Sequence, residues 1–210
     1  PYGGAGLSEL EQAIFAEEEA KFNFGTSYFG ISLGQPIPVM LKYAAEDLRQ
    51  RFAHPALKGE EIWCQLFSEP AAGSDLAGIR LRAVRDGDDW VLNGQKLWTS
   101  WAQYSDYGVI VTRTDPTVAK HKGLTYFWLD MKTPGIAVRP VRLANGEEDV
   151  NEVFFDEVRI PDSQRLGPVG GGFGVAIDTL MIERYSAADE AGFGPALDSF
   201  VSLAKATTID

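Results

Sequence analysis

The sequence predicts an α+β protein in which a helical N-terminal part, a middle part of antiparallel strands and a second helical part follow in order. Three observations carry this. Met40, Leu41, Ala44, Ala45 and Leu48 recur at helical spacing. From Ile62 the period falls to two, over short apolar runs separated by turns. After Pro161 the helical period returns. Many short strands of this kind close into an antiparallel barrel or pack as a sandwich.

Taken in order, Pro1 to Gly6 is a turn-rich opening, and Ser8 with Glu11 forms a capping box for a helix reaching Ala20. Glu17, Glu18 and Glu19 form a solvated face of that helix. Small and aromatic residues from Gly25 to Gly34 read as a buried helix; Pro36 and Pro38 interrupt, and a single helix then fits 39–52. His54, before Pro55, falls in the exit loop and has no metal partner at ligand spacing. Ile79, Leu81 and Ala83 alternate with Arg80, Arg82 and Val84, and Asp86-Gly87-Asp88-Asp89 makes a tight turn into Trp90-Val91-Leu92. Further strands fit 107–112, 124–130, 136–141 and 153–160. His121, between lysines in a polar loop, reads as solvated. Gly167 to Gly172 is a hinge-like loop without the Gly-Lys-Ser/Thr of a phosphate loop, 173–188 is one helix, and another begins after Pro195.

Composition narrows the function. With 19 Lys+Arg against 30 Asp+Glu the net charge is −11, which argues against nucleic acid and anionic membrane surfaces. Such a chain binds an anionic ligand only where its basic residues are gathered locally. The single cysteine, Cys64, lies in an apolar run and fits a reducing cytoplasm. No apolar stretch has membrane-spanning length, so no membrane insertion is expected.

Two stretches carry chemistry. Phe67-Ser68-Glu69-Pro70-Ala71-Ala72-Gly73-Ser74-Asp75 follows the strand-forming Ile62-Trp63-Cys64-Gln65-Leu66 and breaks into an irregular loop. Its freed N–H groups and hydroxyls suit a polar or anionic cofactor, although an ordinary strand exit looks the same. Asn93-Gly94-Gln95-Lys96-Leu97-Trp98-Thr99-Ser100 joins a turn dipeptide to one large aromatic between hydroxyl residues. In this order the two stretches resemble the T-E-P-G-A-G-S-D and N-G-Q-K-x-W-I-T segments of the acyl-CoA dehydrogenase family. Arg113-Thr114-Asp115-Pro116, Thr133-Pro134-Gly135-Ile136, Phe155-Asp156-Glu157-Val158-Arg159-Ile160-Pro161 and Gly170-Gly171-Gly172-Phe173 extend the resemblance over nearly the whole chain.

That resemblance implies an incomplete N-terminal helical domain at 1–61, a middle antiparallel β-barrel, flavin-binding domain at 62–162, and at 163–210 the first part of a C-terminal helical bundle, truncated. It implies FAD held by Gln65, Leu66, Phe67, Ser68, Gly73, Ser74, Trp98, Thr99 and Ser100, with Trp98 covering the ring. It places substrate contacts at Ser74, Met181 and Arg184. The activity it implies is α,β-dehydrogenation of an acyl-CoA thioester. An electron-transferring flavoprotein is the implied electron acceptor, and the missing bundle the implied route to a homo-oligomer. Ala71, Ser68, Ser100 and Trp101 depart from the family pattern; Ala71 matters if its position needs a positive φ. Phe173, Ile177, Leu180, Met181, Arg184 and Ala188 fall on one helix face, read as buried, with Glu183 on its shoulder. On spacing alone Glu183 is a surface residue. Its place before Arg184 is similar to that of the catalytic glutamate in isovaleryl- and long-chain-type members, whereas the commoner location lies beyond Asp210. A same-fold oxidase or monooxygenase, or a non-catalytic subunit, remains the alternative.

Overall fold

The computed structural model describes residues 2–19, 21–22, 27–190 and 195–207. Helix α1 (Glu9–Glu19) opens on the expected capping box: Glu11 N–H donates to Ser8 Oγ at 3.4 Å, and Ser8 N–H donates to Glu11 Oε2 at 2.8 Å. The expected end at Ala20 lies outside the described residues. Helix α2 (Ser27–Gly34) forms where a buried helix was expected, but of its described side chains only Ser32 is buried, while Tyr28 and Leu33 are exposed; residues 25 and 26 lie outside the description.

The single helix expected over 39–52 is two helices, α3 (Pro36–Tyr43) and α4 (Glu46–Leu57). Ala44 and Ala45 turn extended between them, at ψ 159 and 157. Arg49 Nε donates to the Ala44 carbonyl at 2.8 Å, giving the freed carbonyl at the end of α3 a partner. Apolar spacing cannot report such a break, because the side-chain pattern runs through it. Pro36 and Pro38 do not interrupt a helix but begin one, where the first-turn N–H groups need no acceptor. His54 and Pro55 stand in the last turn of α4 rather than in a loop.

The strands are β1 (Trp63–Leu66), β2 (Arg82–Asp86), β3 (Asp89–Ser100), β4 (Tyr107–Arg113), β5 (Leu124–Asp130), β6 (Ile136–Val141), β7 (Val150–Pro161) and β8 (Arg165–Leu166). Their order is β6-β7-β3-β2-β4-β5-β8, with β1 added parallel to β4. All other pairings are antiparallel except one parallel contact, Arg82 with Arg113. The mostly antiparallel sheet agrees with the expected barrel or sandwich, but the end strands β6 and β8 do not pair, so among the described residues closure into a barrel is not shown. The sheet nevertheless folds over itself: Leu66, Leu92, Phe127, Val153 and Phe155, from four strands, share one buried core.

A second core lies on the other side of β1, β4 and β5, where Trp63, Val109, Val111, Tyr126 and Trp128 meet Ile37, Met40 and Phe52 from the helices. Both faces of β5 are therefore covered, which is why it reads as a continuous apolar run. The β2–β3 turn is as expected, with Asp86 opposite Asp89 and Gly87 at φ +65.

Helix α5 (Gly172–Glu190) packs on β5 through a face that shares only Phe173 and Leu180 with the expected one. Gly172 lies so close to β5 that a Cβ would sit 2.6 Å from the Thr125 backbone, and Val175, Ala176 and Thr179 follow it into the core. Small residues permit this approach, so the larger Ile177 and Met181 are left 40% and 46% exposed, and Arg184 is exposed too. The side chain of Ala188 lies outside the description. Lys42 Nζ donates to Asp178 Oδ2 at 2.6 Å, and Tyr43 OH donates to the same oxygen, tying α3 to α5. A last helix, α6, spans Pro195–Ala206. Among the described residues no helix is long and apolar enough to cross a membrane.

Candidate functional site

The first stretch leaves β1 and folds into a compact turn. Glu69 N–H donates to Ala72 O at 2.8 Å and Ala72 N–H to Glu69 O at 3.1 Å, with Pro70 and Ala71 at the corner. The left-handed non-glycine residues among those described are Tyr2, Trp98, Trp101 and Glu157. Ala71 is not among them, so alanine stands there without backbone strain. Gly73 and Ser74 are exposed at the loop tip.

The second stretch is not a hairpin turn. Asn93 and Gly94 lie inside the twelve-residue β3, where the register with β7 shifts between Leu92 and Gly94 and again between Lys96 and Thr99. These are β-bulges, which bend a strand and re-aim its side chains. Gly94, at φ +146, makes the first; Trp98, at φ +61, lies in the second. The second bulge turns Trp98 outward, leaving it 56% exposed, whereas a single tryptophan is more often core. Thr99, by contrast, is 1% exposed, and its carbonyl accepts a bond from Asn151 Nδ2 at 3.0 Å.

The two stretches lie side by side. Leu97 N–H donates to Ser68 O at 2.8 Å, and the ammonium of Lys96 donates to Phe67 O at 3.0 Å and Glu69 Oε1 at 2.9 Å. Glu69 and Lys96 are the residues the sequence reading passed over. Neither carries a signal of its own in the sequence, since each is one charge in a stretch that also holds other polar residues, and the partner lies 27 residues away. Burial depresses the Lys96 ammonium to about 8, against the opposing pull of Glu69.

Among the described residues the hydroxyls of Ser68, Ser74 and Ser100 make no hydrogen bond to the protein. Gln65 Oε1 and Thr99 Oγ1 are buried without a partner. Leu66 is fully buried and Phe67 and Thr99 nearly so, so these positions present little surface to a ligand, whereas Gly73, Ser74 and Trp98 are exposed. This donor and acceptor set fits the polar edge of a flavin, with Trp98 free to lie against its ring. Beyond Ser100, Trp101 (φ 58) packs at a tilt against Tyr28, with ring centroids 4.5 Å apart, and Tyr28 also meets Tyr104 edge-on at 5.7 Å. An aromatic wall thus flanks the segment.

The β4–β5 loop joins this region to α5. Lys120 Nζ reaches both oxygens of Asp75 at 2.8 and 2.9 Å, holding that carboxyl below the usual range, and His121 packs edge-on against Phe173 at 4.7 Å. Beside it an open cleft of about 370 Å³ gathers Arg80, Arg82, Arg113 and Lys120. That is the local concentration of positive charge an acidic chain needs to hold an anion. On α5 Glu183 is half-buried, between Ile182 and the exposed Arg184. No cluster of His, Cys, Asp and Glu suited to a metal occurs among the described residues.

Residues 64–158 match the family model of the acyl-CoA dehydrogenase middle domain, and residues 1–60 that of the acyl-CoA dehydrogenase N-terminal domain. The chain belongs to the acyl-CoA dehydrogenase family. It is 41% identical over 203 residues to acyl-CoA dehydrogenase FadE34 of Mycobacterium tuberculosis, covering 97% of this chain and 28% of that one. The solved Tcur3481-Tcur3483 steroid ACAD superimposes with a TM-score of 0.86 at 31% identity, over 98% of this chain and 53% of that one. The glutaryl-CoA dehydrogenase of Mycobacterium smegmatis, solved in complex with FADH2, superimposes with a TM-score of 0.77 at 27% identity, over 90% and 48%. The chain thus spans about half the length of these structures, and less of FadE34.

Proposed function

We propose that this chain is the N-terminal and middle portion of a FAD-dependent acyl-CoA dehydrogenase, organised as the three parts 1–61, 62–162 and 163–210. The observation that carries the reading is the pairing of Ser68 with Leu97 at 2.8 Å, which sets two hydroxyl-bearing segments beside an outward-facing Trp98. Bound FAD supplies the acceptor for the hydride that leaves the β-carbon of the thioester. The hydroxyls of Ser68 and Ser100 and the backbone of Gln65 to Phe67, Gly73, Ser74 and Thr99 hold the flavin's polar edge. Trp98 covers the ring and keeps water from it.

On the substrate side Ser74, Met181 and Arg184 contact the thioester, and the basic cleft supplies counter-charge to its phosphates. Glu183 takes the α-proton. It is half-buried on α5, directly before the proposed substrate contact Arg184. The α-proton is weakly acidic, so hydrogen bonds to the thioester oxygen must strengthen as negative charge builds there. An electron-transferring flavoprotein is the proposed acceptor, the full protein a cytoplasmic homo-oligomer.

The test is anaerobic mixing of the full-length protein with an acyl-CoA. Loss of the oxidised flavin's visible absorbance is expected. A protein that purifies without flavin, or whose flavin ignores every thioester, would refute the reading. Oxygen uptake with peroxide release would move it to an oxidase.

A further inference from the structure

Lys96 sits between the two bulges of β3 with its side chain fully buried, and Glu69 beneath it is 6% exposed at the side chain. Placing two charges in a protein interior is seldom a gain in stability, since apolar side chains of similar volume do as well or better. What the pair does is geometric. The ammonium binds Phe67 O at 3.0 Å and Glu69 Oε1 at 2.9 Å. The carboxylate also accepts the N–H of Leu81 at 3.0 Å through Oε1 and that of Arg80 at 2.6 Å through Oε2. One buried centre therefore fixes the residue before Ser68, the turn that leads to Ser74, and the start of the run into β2. The next residue after Lys96 binds Ser68 O, and the one after that is the left-handed Trp98. A tryptophan persists at that φ only where its surroundings over-determine it.

We propose that Lys96 and Glu69 are positioning residues for the flavin. They hold the Ser68 loop and the Trp98–Ser100 bulge at one fixed separation, so that hydroxyls and ring meet the cofactor together. Neither side chain touches the cofactor; each acts through the backbone it anchors. The inference rests on the flavin reading above.

The test uses full-length protein carrying Lys96→Met and Glu69→Gln together, which removes both charges, keeps side-chain length and leaves an oxygen for the amides of Arg80 and Leu81. The readouts are the thermal midpoint of the flavin-free protein, the FAD dissociation constant and the visible absorbance of bound flavin. The expected result is a midpoint close to wild type, an FAD dissociation constant raised roughly tenfold or more, and a shifted flavin spectrum. An unchanged affinity and spectrum would overturn the proposal, as would a lowered midpoint with normal affinity in the folded fraction, which marks a structural pair only. If the double variant does not fold, Glu69→Gln alone is read the same way, because Lys96 keeps its bond to Phe67 O. Wild-type protein that fails to bind FAD would sink the flavin reading itself, a result separable from any behaviour of the variants.

Discussion

Gly94→Ala probes the bulge on which the site depends. A Cβ at Gly94 would stand 2.9 Å from Leu81 Cα and 3.0 Å from its Cγ. Leu81 cannot step back, because its N–H is bound to Glu69 Oε1 at 3.0 Å and its carbonyl accepts Arg113 N–H at 2.7 Å. Holding an L-residue at so positive a φ costs about 1–3 kcal/mol, and overpacking against an immobile neighbour about 1–3 kcal/mol more. For a unit of this size each kcal/mol moves the melting midpoint by roughly 2–4 °C, so a fall on the order of 10 °C is expected. Leu81 displaced by the methyl group drags Glu69, and with it the loop of Ser68. Flavin release should therefore move down together with unfolding. The assay is thermal unfolding of the full-length protein by circular dichroism, with flavin fluorescence followed on the same sample. A midpoint within about 1 °C of wild type would show that the bulge relaxes freely and that this chain of contacts is not rigid.

Thr99→Val replaces a buried hydroxyl without a partner by a methyl group of the same shape, and should raise the unfolding free energy of the flavin-free protein by about 1 kcal/mol; a loss would mean the hydroxyl has a partner in solution. Trp98→Gly relieves the left-handed backbone and should leave the flavin-free protein as stable as wild type or about 1 kcal/mol more so, while turnover falls; equal turnover would remove the ring-covering role. Glu183→Gln should keep flavin content and slow bleaching by acyl-CoA on the order of 10² to 10⁴; bleaching at wild-type speed would place the base elsewhere. Burial lowers Lys96 from 10.5 to about 8, so between these values the unfolded chain holds a proton that the folded one has released. Wild-type stability should accordingly rise with pH across that window relative to the Lys96→Met, Glu69→Gln variant, as read by urea unfolding at a series of pH values. A flat difference would contradict it.

Where local chemistry dominates, the sequence was a sufficient guide. The capping box at Ser8 and Glu11, the Gly87 turn, and strands β4 and β6 follow from side chains within a few residues of one another. The family motifs were legible for the same reason, since they are contiguous. Three things were decided only by the tertiary structure. The break at Ala44-Ala45 comes from how α3 and α4 pack, a matter on which apolar spacing is silent. The Asn93-Gly94 dipeptide, a turn by its chemistry, became a bulge because β7 offers ladder partners on both sides of it. On α5 the close approach of Gly172 to Thr125 rotated the helix, putting Val175 and Thr179 inward and the bulkier Met181 outward. The Glu69–Lys96 pair belongs with these. Each residue is ordinary in its own stretch, and only the fold joins two segments that are 27 residues apart and leaves them no water to share.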